Sequence, residues 1–118
     1  MKNIGLIGCG NIAETYFRAQ EYFNNINFVA CADINLDAAK KTAEQYNIAA
    51  LSVDEILNDK NVDIILNLTI PQAHYEISKR ALEANKHVYC EKPMSVKFDD
   101  AKELLNLAKK NSLYIGNA

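Results

Sequence analysis

The chain has 118 residues, 49% of them apolar and 24% charged, a globular composition that excludes a disordered, fibrous or collagen-like chain. One domain of this size buries roughly two thirds of the surface it exposes when unfolded, enough for a core without disulfides or a structural metal. The formal charge of -2 leaves no broad basic face, so neither nucleic acid nor an anionic membrane is expected as a partner.

Cys9, Cys31 and Cys90 are odd in number and too widely separated for a zinc ligand box, so they read as free thiols and no metal is expected. The apolar run that starts at Asn3 is too short for a signal peptide, and no run approaches the roughly 20 residues that cross a bilayer. A soluble, cytoplasmic protein is expected on these grounds.

Short apolar runs alternate with longer amphipathic ones from end to end, the rhythm of a βαβα chain. The first run, Asn3 to Ile7, predicts a strand, and Ile12, Tyr16, Ala19 and Phe23 recur at helical spacing behind it, with Tyr16, Phe17 and Phe23 assigned to the core. A second strand over Phe28 to Ala32 leads to a helix on Ala39, Ala43 and Tyr46, which Asn35 can cap. A short strand at Ala49 to Leu51 precedes a short helix, where Ser52 and Glu55 have capping-box spacing.

The fourth run, Ile64 to Leu68, is followed by a helix with a stripe of Ile77, Ala81 and Ala84, closed by Asn85 in the left-handed conformation. His87 to Cys90 predicts the fifth strand, with His87 in a structural role. A helix on Phe98, Ala101, Leu104, Leu105 and Ala108 then leads to a sixth strand at Tyr114 to Ile115. Its acidic and basic residues between Lys102 and Lys110 form the wet side. Strands apolar on both faces must lie between helical layers. The expected fold class is therefore α/β, a doubly wound parallel sheet of about six strands with helices on both faces, filling residues 1–118 with no second domain within the chain.

Gly8-Cys9-Gly10-Asn11-Ile12-Ala13 follows the first strand and opens the first helix, the context a dinucleotide-binding fingerprint requires. Gly8 permits the tight turn, Gly10 lets the backbone approach a pyrophosphate, and Ala13 lets helix and strand pack closely. Free amides near Asn11 and Ile12 can bond phosphate oxygens. Such glycines alone would suit any strand-to-helix turn, but Asp33 stands at the end of the second strand, where an acid accepts hydrogen bonds from the adenosine ribose. Its carboxylate repels a 2′-phosphate, and Ile34, Asn35 and Leu36 supply no arginine to offset a repulsion of about 1 to 4 kcal/mol per charge pair at 4 Å. NAD is thus expected over NADP.

After the fourth strand comes Thr69-Ile70-Pro71-Gln72-Ala73-His74, and after the fifth Glu91-Lys92-Pro93. With the glycine loop, the acid after strand two and Lys86-His87-Val88, in that order and spacing, these motifs resemble the Gfo/Idh/MocA family of oxidoreductases over the whole chain. One departure is Asn85, where the family usually has glycine. The resemblance implies the NAD-binding Rossmann domain of a dehydrogenase acting on CH-OH groups. A separate C-terminal domain would then supply most substrate contacts, a histidine partner for the lysine, and the interface of a homo-oligomer.

Both loops should lie at the carboxyl ends of the strands, where ligands of doubly wound sheets bind. Pro71 fixes the backbone at the start of a helix, Thr69 offers a hydroxyl, and His74 falls one turn in, where its ring could reach the nicotinamide ribose. Ile34 and Ile70, beside Asp33 and Thr69, belong to the same cofactor-facing set. Lys92 is the candidate catalytic residue: an ammonium beside the nicotinamide can hold a substrate hydroxyl and assist removal of its proton as hydride leaves carbon. Glu91 could bond the ribose or carboxamide and orient Lys92, and the resemblance implies a cis Lys92-Pro93 bond.

The expected ligands are NAD(H) and, in a longer parent, a small sugar, cyclitol or other polyol, with the chain alone binding weakly and turning over nothing. A non-catalytic NAD(H)-binding sensor or assembly subunit is the alternative, though a sensor has no need of Lys92. A signalling receiver would need an acidic cluster where the glycines stand.

Overall fold

The computed structural model describes residues 2–117. Six parallel strands, β1 (Lys2–Ile7), β2 (Ile26–Ala32), β3 (Ala49–Ala50), β4 (Ile64–Asn67), β5 (His87–Cys90) and β6 (Ile115–Asn117), form one sheet in the order β3-β2-β1-β4-β5-β6. Helices α1 (Ala13–Ala19) and α2 (Leu36–Tyr46) cover one face, and α3 (Val53–Asn58), α4 (Pro71–Glu83) and α5 (Phe98–Lys110) cover the other. The strand order reverses between β1 and β4, so the loops after them flank the crevice where ligands of such sheets bind.

Each face has its own core. Ile4, Leu6, Phe28 and Leu66 meet Ala13 and Phe17 of α1 and Ala43 of α2 on the first face. Ile7, Ala32, Ile65 and Val88 meet Ile56, Leu82 and Leu104 on the second. A bulge in β2, where the register with β1 jumps from Phe28 to Ala30, restarts the alternation of that strand. Cys31 therefore joins Phe28 on the α2 side instead of facing away from it.

The caps match the sequence. Asn35 accepts from the amides of Asp37 and Ala38, Ser52 and Glu55 form a reciprocal capping box, and Asn85 has φ +67°. Lys86 is buried and donates to the carbonyls of Asp59 and Val62, both at 2.7 Å. Burial pushes its ammonium below the ordinary lysine value, against the opposing charges of Asp59 and Asp63. His87 is structural as expected, its Nδ1 accepting from the Tyr114 amide at 3.0 Å.

Four apolar assignments are corrected. Helix α1 ends at Ala19 because Gln20 turns back to accept from the Phe28 amide at 2.7 Å, which leaves Phe23 outside the helix and 55% exposed. On α5 the buried residues are Leu104 and Ala108, while Phe98 and Leu105 face outward. On α4 the inward face carries His74 and Ser78 with Ala81 and Leu82, not Ala84, because a buried polar residue of β4 needs partners there. The last strand begins at Ile115, leaving Tyr114 exposed against the His87 ring.

Among the described residues, no helix is long and apolar enough to cross a membrane.

Candidate functional site

Hydrogen bonds that run past the ends of the strands gather four loops at the carboxyl edge of the sheet. The Gly8 amide donates to Ala32 O at 2.9 Å, Leu68 to Ile7 O at 2.8 Å, and Glu91 to Asn67 O at 3.1 Å. The glycine loop, Asp33, the Thr69-Ile70-Pro71 turn and the Glu91-Lys92-Pro93 segment thereby lie side by side at the same edge of the sheet.

The two glycines serve different needs. Gly8 has φ +104°, and a Cβ there would sit 2.5 Å from Leu68 O. Close approach of the β1 and β4 loops therefore dictates it. A Cβ on Gly10 would meet nothing within 4 Å, so open space lies against this stretch of backbone. The amides of Gly10, Asn11 and Ile12 have no protein acceptor among the described residues. They lie in the loop ahead of α1, which starts at Ala13 rather than Ile12.

A bare backbone with free N–H groups and room above it suits the pyrophosphate of a dinucleotide. Beside it, the Asp33 carboxylate accepts from the Cys9 amide at 2.7 Å and from the Asn35 amide at 2.8 Å. A carboxylate has about four acceptor sites, so both oxygens can still accept from ribose hydroxyls while the loop amides hold the group in place. Ile34 and Ile70 are bare at the same edge, 96% and 65% exposed. The glycine loop also borders a surface cavity shared with Ala38, Lys41 and Thr42 of α2.

The β4 loop is organised by Asn67, which is fully buried. Its side-chain amide donates to His74 O at 3.0 Å and Ser78 Oγ at 2.9 Å, and its Oδ1 accepts from the Thr69 hydroxyl at 2.6 Å and the Thr69 amide at 3.3 Å. Pro71 is the first residue of α4, a position where its missing N–H costs nothing. Thr69, half-buried, keeps an oxygen that can accept.

His74 differs from expectation. Its ring is 1% exposed, with Nδ1 at 2.5 Å from Pro93 O and Nε2 at 2.6 Å from Thr69 O. Both nitrogens are occupied, so the ring does not reach into the crevice. It joins the β4 loop to the Pro93 segment.

The Lys92-Pro93 bond is cis. Lys92 is exposed and forms no ion pair among the described residues, while Glu91 is half-buried and accepts from the Tyr16 hydroxyl. Tyr16, assigned from sequence to the core, thus also braces the site. Burial first, and then the bond to Glu91, pushes its phenol above the ordinary tyrosine value. Nothing in the spacing could pair two residues so far apart. Asn67 did leave a signal, as a polar residue ending the apolar run Ile64-Ile65-Leu66.

Comparison with known proteins agrees with this geometry. Residues 2–117 match the model of the Gfo/Idh/MocA oxidoreductase family, described as an NAD-binding Rossmann fold. An inositol 2-dehydrogenase of Salmonella typhimurium is 30% identical over 111 residues, covering 91% of this chain and 33% of that enzyme. The WlbA dehydrogenase of Chromobacterium violaceum, solved with NADH and UDP-GlcNAcA, superposes with a TM-score of 0.93 at 28% identity, over 99% of this chain and 34% of that one. KijD10, a 3-ketoreductase of Actinomadura kijaniata solved with NADP and TDP-benzene, gives 0.93 at 28% identity, over 98% and 36%.

The chain spans about a third of the length of the curated relatives it matches. Fold, glycine loop and family match converge: the chain belongs to the Gfo/Idh/MocA oxidoreductases, within their NAD-binding Rossmann fold.

Proposed function

We propose that the crevice between the β1 and β4 loops binds NAD(H), and that the domain serves a dehydrogenase that oxidises a secondary alcohol of a sugar, cyclitol or related polyol. The observation that carries the binding half is the open space over Gly10, with unpaired amides on one side and Asp33 on the other. Gly10, Asn11 and Ile12 would hold the pyrophosphate and Asp33 the adenosine ribose. Ile34 would flank the adenosine end, and Thr69, Ile70 and Pro71 would border the nicotinamide end. Asp33 favours NAD over NADP, since nothing but Asn35, already engaged as a helix cap, stands near enough in sequence to receive a 2′-phosphate.

Bound nicotinamide supplies a hydride acceptor. The contribution of this chain is to position and to handle the proton. Lys92, free of ion pairs, would hold the substrate hydroxyl and draw off its proton, while Glu91, braced by Tyr16, fixes the segment that carries it. The polyol class rests on the inositol dehydrogenase and on the UDP-GlcNAcA bound in WlbA. Residues beyond this chain would complete the substrate site.

Calorimetric titration of the chain with NADH tests the first half: saturable heat is expected, weaker with NADPH, and no heat with either overturns the reading. In the longer protein, Lys92→Ala should lower kcat at least about 100-fold and leave NADH affinity within about twofold. Turnover that survives the substitution would remove Lys92 from the chemistry.

A further inference from the structure

The bulge in β2 directs the Cys31 thiol toward α2, where it is fully buried and rests 3.4 Å from Ala39 O. Cys9, the residue between the two loop glycines, packs against the same cluster but is only half-buried and borders the cavity beside Thr42. Its Sγ lies 3.5 Å from Ala32 O, next in sequence to Cys31. The molecule thus holds one half-buried thiol and one fully buried thiol in a single cluster under α2. We propose that Cys9 and Cys31 form a redox-active pair that hydroperoxides convert to a disulfide, closing the dinucleotide site.

The electrostatics favour this division of labour. Interaction with Cys31 is the largest influence on Cys9 and lowers its pKa below the ordinary thiol value, against burial and the charge of Asp33. Cys31 is pushed up by the same contact and by burial. Cys9, half-buried at the cavity while Cys31 is fully buried, is therefore the thiol that peroxide meets first. Its sulfur attacks one peroxide oxygen, the O–O bond breaks, and Cys9 sulfenic acid forms as hydroxide leaves and takes a proton. The Cys31 sulfur then attacks the sulfenic sulfur, the S–S bond forms, and water departs. The two thiols lose two hydrogens in all, and one hydrogen peroxide becomes two waters.

The coupling to cofactor rests on the NAD-binding proposal. The Cys9 amide is one of the two donors that hold Asp33, and its neighbour Gly10 lines the space left for pyrophosphate. Drawing the Cys9 side chain down onto Cys31 moves both. Cys90, the third thiol, is buried on the opposite face of the sheet, and burial pushes it up to about 11, so it should stay reduced.

Treatment with hydrogen peroxide, followed by alkylation and tryptic mass spectrometry, tests the pair, because the three cysteines fall in peptides 3–18, 19–40 and 87–97. The expected product is a link between 3–18 and 19–40 with the mass of two hydrogens lost, absent in Cys9→Ser and retained in Cys90→Ser. Cys9 oxidised while Cys31 remains alkylatable, a link to Cys90, or no oxidation of the folded chain would each overturn the proposal.

NADH titration of the reduced and disulfide forms then reads the consequence, expected as at least a tenfold loss of affinity; equal affinity overturns the coupling. A disulfide in a chain whose reduced form ignores NADH defeats the cofactor reading alone. NADH binding without the link defeats the thiol pair alone.

Discussion

The Tyr16 hydroxyl donates to the Glu91 carboxylate, joining the first helix to the segment after β5 across 75 positions. The bond needs a protonated phenol, and its pKa is raised above the ordinary 10.0 by burial and by Glu91. The sign follows from linkage: a group raised in the folded state contributes stability below its unfolded pKa and loses it as pH climbs toward the folded value. Tyr16→Phe should cost about 1 kcal/mol at pH 7, and the gap should shrink above pH 10. Urea unfolding of both proteins from pH 7 to 11 checks this. Superimposed stability curves would show that the hydroxyl contributes nothing, and a constant gap that its titration is not linked to folding.

The two loop glycines should part company on substitution. At Gly8 an alanine must adopt φ +104° with its Cβ 2.5 Å from Leu68 O. The conformation alone costs about 1 to 2 kcal/mol, and the backbone clash adds to it. Gly10→Ala meets nothing within 4 Å, so it should unfold at nearly the same urea concentration as the parent while binding NADH at least about tenfold more weakly. Equal melting of the two variants would contradict the division of roles.

The fold was legible because its signals are local. Apolar runs gave the strands, and Asn35, Ser52 and Asn85 marked helix ends through contacts within a few residues of each. The glycine loop and Asp33 are legible from their strand-turn-helix context and spacing, although Gly8 also answers to Leu68 O of a distant loop. What escaped depends on distant partners. Asn67 is buried and bonds the Ser78 hydroxyl, and the His74 ring meets Thr69 O and Pro93 O, so α4 turns two polar side chains inward beside Ala81 and Leu82. Tyr16 reads as an ordinary core aromatic until β5 brings Glu91 to it. Phe98 and Leu105 fit the helical period of α5 yet face outward, because periodicity places residues on a face without saying what covers it.

Asp33 should decide the nucleotide. Its carboxylate is held by two amides, so it cannot swing away from an incoming 2′-phosphate without breaking them. NADPH should therefore bind more weakly than NADH by about fivefold or more, as a repulsion of about 1 to 4 kcal/mol requires. Asp33→Ser removes the charge and keeps an acceptor for the Cys9 amide within reach. That variant should narrow the preference mainly by gaining NADPH affinity as the repulsion is removed, measured by titrating both nucleotides at one ionic strength. An unchanged ratio would mean that another group sets the selectivity.

His74 should prove a brace between two loops rather than a cofactor ligand. With one ring proton it satisfies either Thr69 O or Pro93 O, and with two it satisfies both; in each case the imidazole fills a fully buried gap between the β4 loop and the cis-proline segment. His74→Leu keeps the bulk and removes the polar atoms, so the carbonyl served by the ring proton loses its donor. Loss of that bond costs about 1 to 3 kcal/mol, which urea unfolding should show. Because the Glu91 and Thr69 amides are both held by Asn67, loosening should appear there first. Hydrogen exchange at those two amides should quicken by about tenfold or more, while the β1 amides keep pace only with the global loss. A variant with parent-like exchange at Glu91 that no longer binds NADH would instead return His74 to the cofactor.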